Sequence, residues 1–278
     1  MGMEMTNAAR WADVNGAALR YRIDGASGPW LVLIHEMGGV IESWDLVVPQ
    51  LVREFRILRF DTRGAGMSEK ILGDTISLDD LADDLAALLD HLRIDEPVTV
   101  AGCAVGAGIA LNFAARHARR TAAAIIMNPA IGITDANRGG LLDRADVLGR
   151  LGTRGVVEQS LSLGYPEAFR TADPDHFALF KARWLANDPV SLRALFRMLA
   201  RMDLSPLLPS ILCPVLGISG RHDPLRPTTY VRDVLSKMRD ARLVVIEAGH
   251  HMADQAPLPV AQAIRDFMVE IKVSGAVA

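Results

Sequence analysis

The sequence predicts an α/β fold, a mostly parallel sheet covered by helices on both faces. Three observations carry this. Short apolar runs alternate with helical stretches from residue 30 onward; an amphipathic helix stands out over residues 78–92; and one long stretch, residues 131–205, has helical pattern but no strand pattern.

The elements follow in order. Asn15-Gly16 lies between residues 10–14 and the alternating residues 17–23. Asn-Gly accepts the positive φ of a tight hairpin, so the chain opens with one. Buried strands are expected at 30–35, 55–60, 98–102, 122–127, 215–219 and 242–247, each an apolar run ending in polar or glycine-rich sequence. In the 78–92 helix, Leu78, Leu81, Leu85, Leu88 and Leu92 form one stripe, and Ser77 with Asp80 makes a capping box. Asp79, Asp80, Asp83 and Asp84 read as solvated acids favoured by the helix dipole rather than as a metal cluster. Helices are expected at 140–150 and 189–202 within the strandless stretch. These features divide the chain into a core, residues 1–130 and 206–278, and a helical lid, residues 131–205, inserted after the sixth strand. Ligands of such sheets bind at the carboxyl ends of the strands, where the lid would cover them.

Composition narrows the function. The chain has 278 residues, half of them hydrophobic, and a formal net charge of −3, which disfavours nucleic-acid and membrane-surface partners. A small-molecule substrate is the expectation. The oligomeric state stays open, a homodimer included. Residues 1–15 show no apolar run after a basic segment, and every other apolar stretch is too short to span a bilayer, so a cytoplasmic protein is expected. Cys103 and Cys213, the only cysteines, can form neither a disulfide framework nor a four-thiolate zinc site. No metal or organic cofactor is expected.

The sharpest motif is Gly102-Cys-Ala-Val-Gly106, where a strand turns abruptly into a helix. This is the spacing of a nucleophile elbow, whose central side chain projects above the sheet and whose flanking glycines avoid clashes with neighbouring backbone. The centre is Ala104. Cys103 is the alternative nucleophile, but centring on it puts Val105 where a small residue is needed. An acid and a base should follow in chain order, each after a strand. Asp223 in Gly220-Arg-His-Asp-Pro224 and His250 in Ala248-Gly-His-His-Met252 fill those places, with His251 the alternative base and His222 a loop residue. An oxyanion hole needs backbone N–H groups. Val105 and Met37, the latter in His35-Glu-Met-Gly-Gly39, are placed to supply them. His35, Glu36, Trp44 and Trp184 are candidate substrate-binding residues. Asp61-Thr-Arg-Gly-Ala-Gly-Met-Ser68 reads as a structural loop braced by Asp61 and Arg63.

Across nearly its whole length the sequence resembles the α/β-hydrolase superfamily, and most of all the 3-oxoadipate enol-lactonases. Residues 61–68 resemble the Asp-x-Arg-Gly-x-Gly-x-Ser motif; Asn128-Pro-Ala-Ile-Gly132 and residues 184–204 resemble the segments that open and close the lactonase lid. The resemblance implies a Ser, Asp and His triad at positions 104, 223 and 250, ester or lactone hydrolysis, and the degradation of aromatic compounds. It departs at Ala104 and at Glu36, where many relatives carry the glycine of His-Gly. Acid, base, elbow and lid are all present, so an engineered Ser→Ala replacement explains Ala104 better than a natural non-enzyme. An inactive substrate trap is therefore expected. The same fold and triad also serve carbon–carbon bond hydrolases and cofactor-free dioxygenases, and a non-catalytic receptor is a third class. The lid arginines, Arg144, Arg150, Arg154, Arg170, Arg183, Arg193, Arg197 and Arg201, offer one or two candidates for a substrate carboxylate.

Overall fold

The computed structural model describes residues 8–275. The ends of the expected core range, residues 1–7 and 276–278, lie outside the described residues, as does part of the opening segment read above for targeting. Eight strands are formed: β1 Arg10–Val14, β2 Ala17–Asp24, β3 Trp30–Ile34, β4 Arg56–Phe60, β5 Val98–Cys103, β6 Thr121–Met127, β7 Val215–Gly220 and β8 Ala241–Ile246. They make one sheet in the order β1-β2-β4-β3-β5-β6-β7-β8. The β1–β2 and β2–β4 pairs are antiparallel, and every pair from β4 across to β8 is parallel. The hairpin forms as its turn chemistry requires, with Val14 opposite Ala17 and positive φ at Asn15 and Gly16.

The helices are α1 Val48–Leu51, α2 Leu78–His91, α3 Val105–Arg116, α4 Asp135–Leu151, α5 Val157–Gly164, α6 Glu167–Ala172, α7 Pro174–Leu185, α8 Pro189–Arg201, α9 Thr228–Ser236, α10 Met252–Gln255 and α11 Pro257–Gly275. Strand side chains alternate between two cores, as the two-residue period of a strand demands. Leu31, Leu33 and Ile57 pack with Trp44, Leu51, Ile264 and Phe267 on one face. Val32, Ile34 and Leu58 pack with Leu81, Leu85, Ile109 and Val231 on the other. Trp44 is thus a core residue, fully buried beneath the sheet, and not the substrate contact expected above. No helix of the described residues is long and apolar enough to cross a membrane.

Helices α4–α8 occupy one insertion after β6. It leaves and returns at a single pinch, where Gly132 bridges Asp203 and the Leu204 N–H donates to the Ile131 carbonyl at 2.7 Å. The α2 acids need a correction. Asp84 is buried, gripped by the Arg63 guanidinium at 2.6 and 3.0 Å and by Asn15 Nδ2 at 2.8 Å, because its turn of the helix faces the hairpin. Asp79 and Asp83 pair with Arg116, and Asp80 caps with Ser77. Asp61 braces loops as expected, accepting from the Ile41 and Met67 N–H groups at 2.8 Å each.

Arg59 in β4 is sensitive to substitution, since it is only 2% accessible and its Nε donates to the buried Asp24 at 2.9 Å. Removing Arg59 leaves Asp24 only its longer contact with the more exposed Arg22, at 3.2 Å. Arg59→Met should lower the unfolding free energy by about 3–5 kcal/mol in urea titrations. A loss below about 1 kcal/mol, the scale of a surface pair, would contradict the buried-pair reading.

Candidate active site

The β5–α3 turn places residue 104 where the motif predicts. Ala104 adopts φ 51° and ψ −112°, a region an L-residue enters only under constraint. The constraint is visible. Its N–H donates to the Met127 carbonyl at 2.9 Å, and its carbonyl accepts from the Ala130 N–H at 2.9 Å. Glycine is required on both sides: a Cβ on Gly102 would stand 2.2 Å from the Gly106 carbonyl oxygen, and one on Gly106 would stand 2.4 Å from the carbonyl oxygens of Ile34 and His35. Cys103 points away from the cavity. Burial first, then the nearby Glu36 and Asp223 carboxylates, push its thiol well above the ordinary range, and Sγ donates to the His250 carbonyl at 3.3 Å. It behaves as a small buried residue beside the turn.

Asp223 follows β7 and His250 follows β8. Their side chains meet, with His250 Nδ1 and Asp223 Oδ2 2.7 Å apart. Asp223 is buried and its other oxygen accepts from the Leu225 and Arg226 N–H groups at 2.8 and 3.2 Å. Burial alone would raise its pKa, but the imidazole and these N–H groups outweigh it and hold the carboxyl below its ordinary value. Since Nδ1 is engaged, Nε2 is the nitrogen left for the cavity that the ring lines. His222 instead pairs with Glu247 at the surface. His251 packs edge-on against Phe180 and near Tyr165, with Nδ1 3.4 Å from Glu36 Oε1.

A cavity of about 380 Å³ opens over the elbow. Its core side is Glu36, Met37, Ala104, Val105, His250 and His251; its helical side includes Leu141, Arg144, Leu163, Trp184, Phe196 and Leu199. The loop after β3 is clamped from α7 and the residues that follow it. The Trp184 indole lies 2.6 Å from where a Cβ on Gly38 would stand, and Asn187 Nδ2 donates to the Gly38 carbonyl at 2.8 Å. His35, expected as a substrate contact, is not on the cavity wall. Its Nδ1 meets the Glu36 carbonyl at 2.7 Å and its Nε2 accepts from the Thr62 N–H at 3.0 Å, so both nitrogens are spent on tying the loop to the strand ends. Of the lid arginines, Arg144 alone lines the cavity, while Arg183, Arg193 and Arg197 pair with Asp254, Asp74 and Asp146.

Sequence reasoning passed over two residues that build this site. Asn128 is wholly buried; its Nδ2 donates to the Gly249 carbonyl and its Oδ1 accepts from the Gly220 N–H, both at 3.0 Å, joining the loops that carry His250 and Asp223. An asparagine directly after a strand, with its tolerance for the positive φ of 42° seen here, was the available signal. Arg226 joins the wall beside Asp223. Among the described residues no group of three or more His, Cys, Asp or Glu side chains could hold a metal.

Sheet order, elbow and the Asp–His pair define an α/β-hydrolase. The chain belongs to the family described as serine aminopeptidase, S33 (Hydrolase_4), whose model matches residues 27–253. It is similar to the enol-lactonase of Burkholderia xenovorans LB400, at a TM-score of 0.89 and 28% identity over 94% of this chain and 100% of that one. The 3-oxoadipate enol-lactonase 2 of Acinetobacter baylyi is 25% identical over 90% of this chain and 93% of its own length. The dihydrolipoyllysine-residue acetyltransferase component of the acetoin cleaving system of Pseudomonas putida is 30% identical over 94% of this chain and 69% of its own. The resemblance to enol-lactonases read from the motifs is therefore borne out.

Glu36 is held below the ordinary carboxylate range, at about 2: burial opposes this, and His251 and then His35 overcome it. A carboxyl with a depressed folded-state pKa contributes stability above its unfolded value, about pH 4.3, and loses it as pH falls through the folded one. Urea titrations between those limits should show Glu36→Gln losing less stability on acidification than the parent chain. Identical acid limbs would show that folding does not lower the Glu36 pKa.

Proposed function

We propose that this cavity binds a small carboxylic ester or lactone bearing a carboxylate, under helices α4–α8 acting as a lid, and that Ala104 occupies the place of a serine nucleophile. The observation that carries the reading is the His250–Asp223 pair, complete at 2.7 Å, facing an elbow whose strained backbone holds no attacking atom. With serine at 104, its hydroxyl would attack the carbonyl carbon while His250 took the proton and Asp223 stabilised the imidazolium. The Met37 and Val105 N–H groups would receive the charge on the carbonyl oxygen. His250 would return the proton to the leaving alkoxide, and water would release the acid by the same steps. Loss of the nucleophile removes about a millionfold in triad enzymes, so the present chain holds substrate without turning it over.

Arg144 supports the carboxylate. Its guanidinium is half-buried on the wall, burial lowers its pKa, its Nε lacks a partner, and among the described residues it meets no acid. A carboxylate on the ligand would satisfy it in a paired, charge-assisted geometry.

Ala104→Ser should create ester or lactone hydrolysis that Cys103→Ala leaves intact and His250→Ala abolishes, read by acid release and product analysis. Cleavage of diketones rather than esters would move the assignment to carbon–carbon hydrolysis. Inertness of the serine form across the whole panel would make the site a receptor. The parent chain should bind a substrate of the serine form with a Kd within about tenfold of its KM where chemistry is slow relative to release.

A further inference from the structure

Glu36 lies where the resembled motif has glycine, and it brings a charge into a place built for another one. Glu36 and Met37 are consecutive, and both line the cavity with Ala104 and Val105, so the carboxylate and the oxyanion donors belong to the same end of the pocket. A fixed negative charge there opposes negative charge on a bound carbonyl oxygen unless a third group balances it. His251 and His35 offset it in the free protein, but no side chain does so through a short hydrogen bond. Both side-chain contacts fall on Oε1 and both are long: Ser43 Oγ donates at 3.4 Å, and His251 Nδ1, also at 3.4 Å, is not aligned for a hydrogen bond. An ionised carboxylate can accept about four hydrogen bonds.

The side chain is also held in one place. It folds back against the loop, where a Cβ on Gly39 would meet its Cδ at 2.8 Å and its Oε1 at 2.9 Å, with His251 on the other side. The remaining acceptor capacity is therefore presented to whatever fills the cavity. Arg144 and Arg226 line the same cavity and so disfavour a cationic donor and favour a neutral one.

We propose that Glu36 is a specificity-determining residue whose carboxylate accepts a hydrogen bond from a hydroxyl on the carbon next to the ligand's carbonyl, so that this pocket selects α-hydroxy esters and lactones. This rests on the ester and lactone reading above and narrows it. The hydroxyl shields the carbonyl from the Glu36 charge while the Met37 and Val105 N–H groups hold its oxygen.

The test uses the chain as it stands, which does not consume the ligand. Saturation-transfer NMR titrations would compare γ-carboxy-γ-butyrolactone, which carries the carboxylate expected to meet Arg144, with its α-hydroxy and α-amino derivatives. One charge-assisted hydrogen bond should make the hydroxy compound bind about tenfold or more tighter than the α-unsubstituted lactone. In Glu36→Gln, with folding checked by near-ultraviolet circular dichroism, that preference should fall severalfold, and in Glu36→Gly it should vanish. Equal binding of the hydroxy and α-unsubstituted lactones to the parent chain overturns the inference and leaves the lactone reading standing; so does a preference unchanged in both variants. Tighter binding of the ammonium compound also overturns it, since it would assign Glu36 to a cation. If none of the three lactones binds, the ester and lactone reading itself falls, and this inference falls with it. The comparison of ligands on the parent chain needs no variant, so a misfolded Glu36→Gly protein does not blunt it.

Discussion

Everything in this site depends on how closely α3 approaches the strands it leaves. Gly102 and Gly106 let the start of the helix lie against the ends of β3 and β5 at distances no side chain would permit, and the backbone between them has one way through. That path forces positive φ on Ala104 and aims its Cβ into the cavity. The strain is stabilised by bonds from both its amide and its carbonyl, which tie the turn to the end of β6 and the segment after it. The sheet thus supplies a rigid socket whether or not residue 104 can attack anything.

The two other chemical groups reach that socket from separate strands, and what aligns them is a buried amide. Asn128 holds Gly249 and Gly220 together, so the loops after β7 and β8 keep a fixed spacing and His250 meets Asp223 at hydrogen-bonding distance. Above them, Trp184 and Asn187 fasten the insertion to Gly38. The helical side of the cavity is thereby packed against the loop after β3.

Charge is distributed unevenly around this frame. Glu36 lines the core side of the cavity and Arg144 the helical side. A plain apolar ester would leave Arg144 without a charged partner. The two departures from the resembled motifs, at residues 36 and 104, therefore act on the same few ångströms of space.

The sequence by itself determined the strands, the hairpin, the elbow at Ala104, and the placement of Asp223 and His250 after strands. These are written in local chemistry: apolar period, Asn-Gly turn preference, and glycine spacing around an abrupt strand-to-helix turn. Other assignments required the folded chain. Trp44 and Trp184 are the same residue type, yet one fills the core and the other walls the cavity. Asp84 reads as a surface acid until the hairpin closes over it, and Arg144 reads like seven other arginines until each finds or lacks an acid across space. Such distinctions rest on contacts between residues far apart in the chain, such as Asn128 with Gly249. A residue's neighbours along the chain set its backbone; its neighbours across the fold set its solvation, its charge state and its role.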